Sequence, residues 1–233
     1  MRFFSALLLM LSAWPSVLGA QTLGDGDPAT ASEPLPFGLF VSPTISTLGV
    51  GLETGVRLNE TFGLRFGGNY LSVDFDRTVD DVDYDAEARL ASLGALVDYH
   101  PFQGGFRLSG GLRFNFNKAD LTGTANDDVT IGDQTFAASD VGTLEGDASF
   151  NKFAPYLGLG YGATLLEGSL SVGFDLGVMY QGKADVELDA EGGALEGDAV
   201  LEENLALEEE DIEDDLEDFF LYPVVGLAII YRF

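Results

Sequence analysis

The chain has 233 residues and no cysteine, and its 39 acidic side chains face 11 basic ones, for a formal net charge of −28. That composition excludes a disulfide framework, a thiolate metal site and a basic nucleic-acid surface. A disordered acidic chain is excluded as well, because 46% of the residues are hydrophobic and 18 are phenylalanine, a load such chains lack. Apolar and acidic residues must therefore be segregated, either along the chain or between faces.

Arg2 precedes an apolar run from Phe3 to Leu11, broken by Pro15 before the small residues Gly19 and Ala20. This pattern predicts a signal peptide over 1–20; the run is too short to span a bilayer as a helix. Residues 21–36, rich in Asp, Gly, Ala, Thr, Ser and Pro, read as a flexible periplasmic lead-in.

From residue 37 to 233 a period of two sets in, and it predicts eight strands. The first covers Phe37 to Ile45. In the second, Val50, Leu52, Val56 and Leu58 oppose Gly49, Gly51, Glu53 and Arg57. In the third, Phe62, Leu64, Phe66 and Tyr70 oppose Gly63, Arg65, Gly67 and Asn69. The fourth places Ala91, Leu93, Val97 and Tyr99 opposite Ser92, Gly94 and Asp98. The fifth is the clearest: Phe106, Leu108, Leu112, Phe114 and Phe116 share one face, while Arg107, Ser109, Gly111, Arg113, Asn115 and Asn117 share the other. The sixth and seventh repeat the split from Phe153 and from Leu170, and an eighth runs from Leu221 to Phe233.

Residues two apart lie on one face of a strand. An aromatic and aliphatic stripe opposed by glycines and charges suits a strand with lipid on one side and a narrow lumen on the other. Turns near Asn59, Pro101–Gly105 and Glu167–Gly168 are short, and connections near Val79–Asp83, Asp120–Asp147 and Ala184–Asp218 are long. Only the link at Ser46 and Thr47 is short where a long one is expected. The fold class that follows is all-β: an eight-stranded antiparallel up-and-down transmembrane β-barrel of a bacterial outer membrane, multi-pass, with both ends periplasmic. Pro43, Pro155 and Pro223 all fall towards the extracellular rim, where a missing ladder donor is tolerated.

The stretch from Asp185 to Asp218 carries seventeen acids. Within it Leu201, Leu205, Ile212, Leu216 and Phe219 keep helical spacing, which predicts a short helix in the last extracellular loop, over the barrel mouth. Glu208, Glu209, Glu210 and Asp211 are the candidates in this acidic loop for attracting cations, against the plainer reading of a solvated face.

The chain closes on Gly226, Ile229, Tyr231 and Phe233, which resembles the C-terminal recognition signal of outer-membrane barrels and implies barrel-assembly machinery as a partner. Three segments carry a narrower likeness: Phe153-Ala-Pro-Tyr-Leu-Gly-Leu-Gly-Tyr161, Gly177-Val-Met-Tyr-Gln-Gly-Lys-Ala-Asp-Val-Glu-Leu188 and Phe220-Leu-Tyr-Pro-Val-Val-Gly226. With their spacing around a long acidic loop, they resemble small outer-membrane barrels of the ornithine-uptake porin, carbapenem-susceptibility-associated type. The resemblance implies passage or binding of small, mainly basic, amino acids, and carries over no binding residue.

The inward face is expected to hold Glu53, Arg57, Arg65, Asp98, Arg107, Arg113, Lys152, Asp175 and Arg232. Charges in so narrow a lumen must be paired or hydrated. They read either as a polar track for a solute or as a structural plug. The plug is favoured, because six cations against three acids make a poor path for a cationic solute. His100, the single histidine, falls at a periplasmic turn beside Pro101 and reads as a turn residue rather than a catalytic base with Ser92 and Asp98. Asp81, Asp83 and Asp85 lack the glycine turn and distal glutamate of a calcium loop. No catalytic residue, cofactor or metal site is expected. The expected surroundings are the lipid bilayer, lipopolysaccharide, and small cationic solutes or divalent cations. The function expected is porin-like uptake or binding of small solutes. The alternative is a structural or surface-interaction barrel with acidic extracellular loops and a plugged lumen.

Overall fold

The structure is a computed structural model that describes residues 38–79, 82–124, 127–166 and 169–233, without the side chains at 75–79, 82–84 and 166. The expected signal peptide and lead-in lie outside the described residues.

Eight strands close the barrel: β1 (Leu39–Ser46), β2 (Gly49–Arg57), β3 (Phe62–Val79), β4 (Val82–Tyr99), β5 (Phe106–Asn115), β10 (Phe153–Leu166), β11 (Leu170–Tyr180) and β13 (Leu221–Arg232). Each pairs antiparallel with its neighbours, and β13 returns to β1 with Tyr231 opposite Val41 and Ala228 opposite Thr44. Closure leaves no strand edge in the bilayer, where an unpaired amide would find no water. The alternation predicts the faces correctly: Val50, Phe66, Leu93, Leu108, Leu157, Phe174 and Leu227 are exposed, while Glu53, Arg65, Ser92, Ser109, Tyr156, Ser171 and Ala228, of opposite parity on the same strands, are buried. Aromatic pairs sit at both ends of this apolar belt, Phe62 with Tyr99 at 5.3 Å and Phe114 with Phe153 at 5.2 Å, as amphipathic rings at the two interfaces do.

A bilayer is crossed by about 9–11 tilted strand residues, yet β3 and β4 each have 18. Their outer halves leave the membrane and keep pairing. β6 (Lys118–Thr124), β9 (Gly142–Ser149) and β12 (Asp185–Gly192) join them, in the order β3-β4-β6-β9-β12. Each added strand continues or leads into a barrel strand: β6 follows β5, β9 precedes β10 and β12 follows β11. One side of the barrel wall is thus prolonged into the extracellular space. Among the described residues the long connections are therefore largely regular structure, and the plainer alternative of a solvated loop does not hold for the acidic stretch.

At the level of the breaks, amides and carbonyls that leave the barrel ladder are taken up locally. Asn117 Oδ1 accepts from Ala91 N at 3.1 Å, Gln181 Nε2 donates to Phe219 O at 3.0 Å, and Asn151 N donates to Gln181 O at 3.0 Å.

The extracellular sheet has its own core. A short hairpin of β7 (Val129–Ile131) and β8 (Gln134–Phe136), a single turn α1 (Ala138–Val141) and the helix α2 (Ala199–Asp215) complete the module. Ala119, Leu144, Val186 and Leu188 of the sheet are buried with Ile131, Phe136 and Val141, and with Leu201, Leu205, Ile212 and Leu216. The helix predicted from the leucine spacing is thus present, capped by Asp198, whose side chain accepts from Val200 N at 2.9 Å. It packs on β12 and β7 rather than serving as a lid on the lumen.

Its acidic face has a structural part. β12 is an edge strand, and an uncovered edge invites pairing with other chains. Glu209 accepts from Leu188 N at 2.7 Å and Glu213 from Val186 N at 3.1 Å. Residues four apart on a helix rise about 6 Å, and residues two apart on a strand about 6.6–6.8 Å, so one pair of glutamates matches two successive free amides. Glu208 accepts from Gly132 N at 3.0 Å and is buried.

Candidate functional site: the closed lumen

Inside the barrel, Arg65 of β3 is the hub. It is 4% exposed, and its guanidinium meets Glu53 of β2 at 3.0 Å, Asp98 of β4 at 3.1 Å and Asp175 of β11 at 3.3 Å. It also donates to Ser109 Oγ at 3.0 Å, and Ser109 in turn donates to Asp98. Arg107 of β5 meets the other oxygen of Asp175 at 2.7 Å. Arg113 approaches Glu53 at 3.9 Å, donates to Asn69 and Ser92 at 3.3 Å each, and lies 5.1 Å from the centre of the Tyr156 ring. Three arginines and three carboxylates from five strands make a layer of zero formal charge across the lumen.

The glycines of the inward face make this layer fit. A Cβ on Gly67 would come within 2.6 Å of Glu53 Cγ, and one on Gly160 within 2.8 Å of both the Arg107 guanidinium and Asp175 Oδ1. On the extracellular side of the layer, Leu48, Leu96, Ala154, Tyr156, Met179 and Val224 form a buried apolar cluster. Leu48 comes from the unexpectedly short β1–β2 turn and is 1% exposed. The turn is short because its tip folds inward as a cap. Tyr222 Oη donates to Thr47 O at 2.6 Å and Thr47 Oγ1 to Pro223 O at 2.9 Å, holding the turn against β13.

The layer is met by a cavity of ≈ 60 Å³ from the periplasmic side and one of ≈ 20 Å³ from the extracellular side. The larger one is lined by Arg57, Arg65, Arg107, Arg232 and His100 among others. Arg57 and Arg232 are half-buried at the periplasmic end. Arg57 donates to the carbonyls of Asn59 and Glu60 at 3.4 and 2.8 Å, and Arg232 donates to Ser171 Oγ.

Of the nine charges read as inward, six are thus brought together and two stand apart below them. Lys152 is a correction: it precedes β10 and is exposed, because the strand begins one residue later, at the rim. Ser92 and Asp98 are bonded to arginines, and neither hydrogen-bonds His100 among the described residues. Asp85 is exposed on the extracellular sheet; Asp81 and the side chain of Asp83 lie outside the described residues. At the C-terminus Ile229, Tyr231 and Phe233 point outward and are exposed, whereas Gly226 lies on the inward face against Ser46. Sequence reasoning missed the apolar cap and the extracellular sheet. The alternation Ala119, Leu121, Gly123 and Val186, Leu188, Ala190 was the available signal for the latter.

The outer face of the extracellular sheet continues the lipid-facing side of the barrel wall. Just above Tyr70 a row runs through Ser72, Arg89, Lys118, Ser149 and Asp185; the next row is Asp74, Glu87, Asp120, Asp147 and Glu187, carboxylates on all five strands. Lys118 meets Asp120 at 2.7 Å and Asp147 at 3.7 Å, and Arg89 meets Glu87 at 2.8 Å.

The fold is shared with solved outer-membrane barrels. The structure matches CarO of Acinetobacter baumannii with a TM-score of 0.56 and 22% identity, over 84% of this chain and 98% of that one. It matches CarO2 of the same organism with a TM-score of 0.56 and 20% identity, over 87% and 100%. No family model and no curated protein matches the chain. The protein is an outer-membrane β-barrel of the CarO-type fold, the fold that the three resembling segments implied.

Proposed function

We propose that the protein is a closed, non-enzymatic anchor barrel whose extracellular sheet and helix form an acidic surface for cationic partners, divalent cations and the lipopolysaccharide around it. The observation that carries this reading is the neutral Arg65 layer, backed by the Leu48 cap. Moving a solute through it means separating buried ion pairs, each of which leaves an uncompensated charge when broken. In liposome swelling with ornithine, arginine and an uncharged solute of similar size, the purified barrel is expected to add nothing to the rate of protein-free vesicles. Permeation of any of the three rejects the closed-barrel reading.

The second reading is porin-like uptake of small solutes, basic amino acids among them. The three segments and the shared CarO fold favour it. It requires the layer to part in the membrane. It also predicts faster swelling with ornithine than with the neutral solute, slowed at low salt when the exposed acids Glu202, Glu203, Glu210 and Asp211 are replaced by their amides. Glu208 and Glu209 are left intact in this test, because they hold Gly132 and Leu188.

The outward series Ile229, Tyr231 and Phe233 supports recognition by barrel-assembly machinery. Deleting Phe233 is expected to lower the folded fraction in outer membranes, read as loss of heat-modifiable mobility on unboiled gels.

A further inference from the structure

The periplasmic half of the lumen carries a charge imbalance that the central layer does not absorb. Around its ≈ 60 Å³ cavity stand four guanidinium groups, Arg57, Arg65, Arg107 and Arg232. Arg65 and Arg107, together with Arg113 deeper in the lumen, are matched by Glu53, Asp98 and Asp175. Arg57 and Arg232 have no carboxylate within salt-bridge distance among the described residues, and their hydrogen bonds go to neutral oxygens.

A second, independent observation concerns unmade hydrogen bonds. Four buried polar atoms of residues lining this cavity have no hydrogen-bond partner among the described residues: Ser42 Oγ, Arg65 Nε, His100 Nδ1 and Arg107 Nε. Ser42 is 1% and His100 7% exposed. Ser42 Oγ and the two arginine Nε atoms are donors, and His100 Nδ1 is one when it carries the ring proton. Buried donors are almost always paired, and here they gather on one void. Water would satisfy the donors but adds no negative charge beside Arg57 and Arg232, of which Arg57 has only the more distant Asp98 and Glu60. One negatively charged acceptor answers both. The cavity has room for it, since about 10–15 Å³ by the same measure holds a water.

We propose that this cavity is a binding site for a small oxyanion of the carboxylate or phosphate class, reached from the periplasm, with Arg57 and Arg232 supplying charge and Ser42, His100 and Arg107 supplying hydrogen bonds. Burial, with Arg57 and Arg107 nearby, pushes the His100 imidazole down to about 4, so near neutral pH the ring is uncharged and donates to the anion in the tautomer that carries its proton on Nδ1. The site disfavours a basic side chain and favours the carboxylate end of any solute. It rests on neither reading of the extracellular module.

His100 is the only histidine in the chain, so its ring reports this site alone. The barrel, refolded in micelles with ¹⁵N-labelled histidine, is titrated with sodium phosphate, sodium acetate and sodium chloride at fixed pH and ionic strength. Phosphate or acetate is expected to shift the His100 ring nitrogens saturably, and chloride more weakly. Arg57→Gln and Arg232→Gln are each expected to raise the apparent Kd about tenfold, the loss of roughly one charge-assisted contact. Ser42→Ala, which leaves every charge in place and guards against misfolding of the arginine variants, should raise it several-fold. Lys183→Gln, on the extracellular side, should leave it unchanged. Stronger saturation by phosphate than by acetate assigns the phosphate class, and the reverse order the carboxylate class. A linear response to all three salts, chloride acting as strongly as the oxyanions, or the same saturation in folded Arg57→Gln and Arg232→Gln overturns the proposal.

Discussion

The barrel and the extracellular module are built from the same strands with opposite polarity. In β3, Leu64, Phe66 and Tyr70 face outward over the bilayer; two residues on, the same face carries Ser72 and Asp74. In β4 the outward face changes from Leu93 and Ala91 to Arg89, Glu87 and Asp85. The inner face changes in the reverse sense, from Arg113, Asn115 and Asp98 to Leu121, Leu144 and Leu188. Strand parity is unbroken, so what changes is the solvent. Below Tyr70 the outside is hydrocarbon and the polar groups must turn inward and pair; above it the outside is water and the apolar groups must turn inward and pack. The boundary of the membrane is thus written into the residue types along single strands.

Breaking either interior tests this contrast. The largest effect is expected in the barrel. Arg65→Ala leaves Glu53 and Asp98 without their closest cation, and a buried pair broken on one side costs about 3–5 kcal/mol. The unfolding midpoint in detergent or lipid should fall accordingly, with the helix α2 still protected from protease. In the module, Leu201→Ala removes a side chain that is 1% exposed; a buried Leu→Ala costs about 2–5 kcal/mol. It should expose α2 to protease while heat-modifiable mobility of the barrel is retained. If one variant disturbs both regions equally, the two interiors are not separable.

Smaller effects sharpen the picture. Arg113→Ala is expected to cost about 1–3 kcal/mol: its closest contacts are neutral amide and hydroxyl oxygens and an aromatic face, and Arg65 stays on Glu53, but the layer is left one positive charge short. A loss equal to that of Arg65→Ala would make Arg113 a second hub.

His100 gives a pH test. Its folded pKa, about 4, lies below the ordinary value near 6.5, so the unfolded chain takes up the proton first. Stability is therefore complete above about pH 6.5 and falls as the pH drops towards 4. The expected loss is about 1–2 kcal/mol once solvent at the turn is allowed for. In oxyanion-free buffer, His100→Asn should flatten this slope in a denaturant series. Least costly is Glu213→Gln, which weakens one bond to Val186 N by about 1 kcal/mol or less; faster amide exchange at Val186, with Leu188 unchanged, is the readout.

The number of membrane strands and the facing of the side chains along β2 to β5, β10 and β11 were legible in the sequence, because alternation at period two depends on nothing beyond the strand itself. The leucines of α2 were legible for the same local reason, at period 3.6. Which charges meet was not: Glu53, Arg65, Asp98 and Asp175 come from four strands and are separated by up to 122 residues, and only the stagger of the closed barrel puts them at one height. Lys152 reads as inward by parity alone, and the point where the strand starts leaves it at the rim. Glu208 and Glu209 read as acids for attracting cations and nothing singles out Glu213, since their roles require the amides of Gly132, Leu188 and Val186 to be free at their side. Periodicity determines which way a residue points; which partner it finds there depends on chain closure and on the edges that closure leaves open.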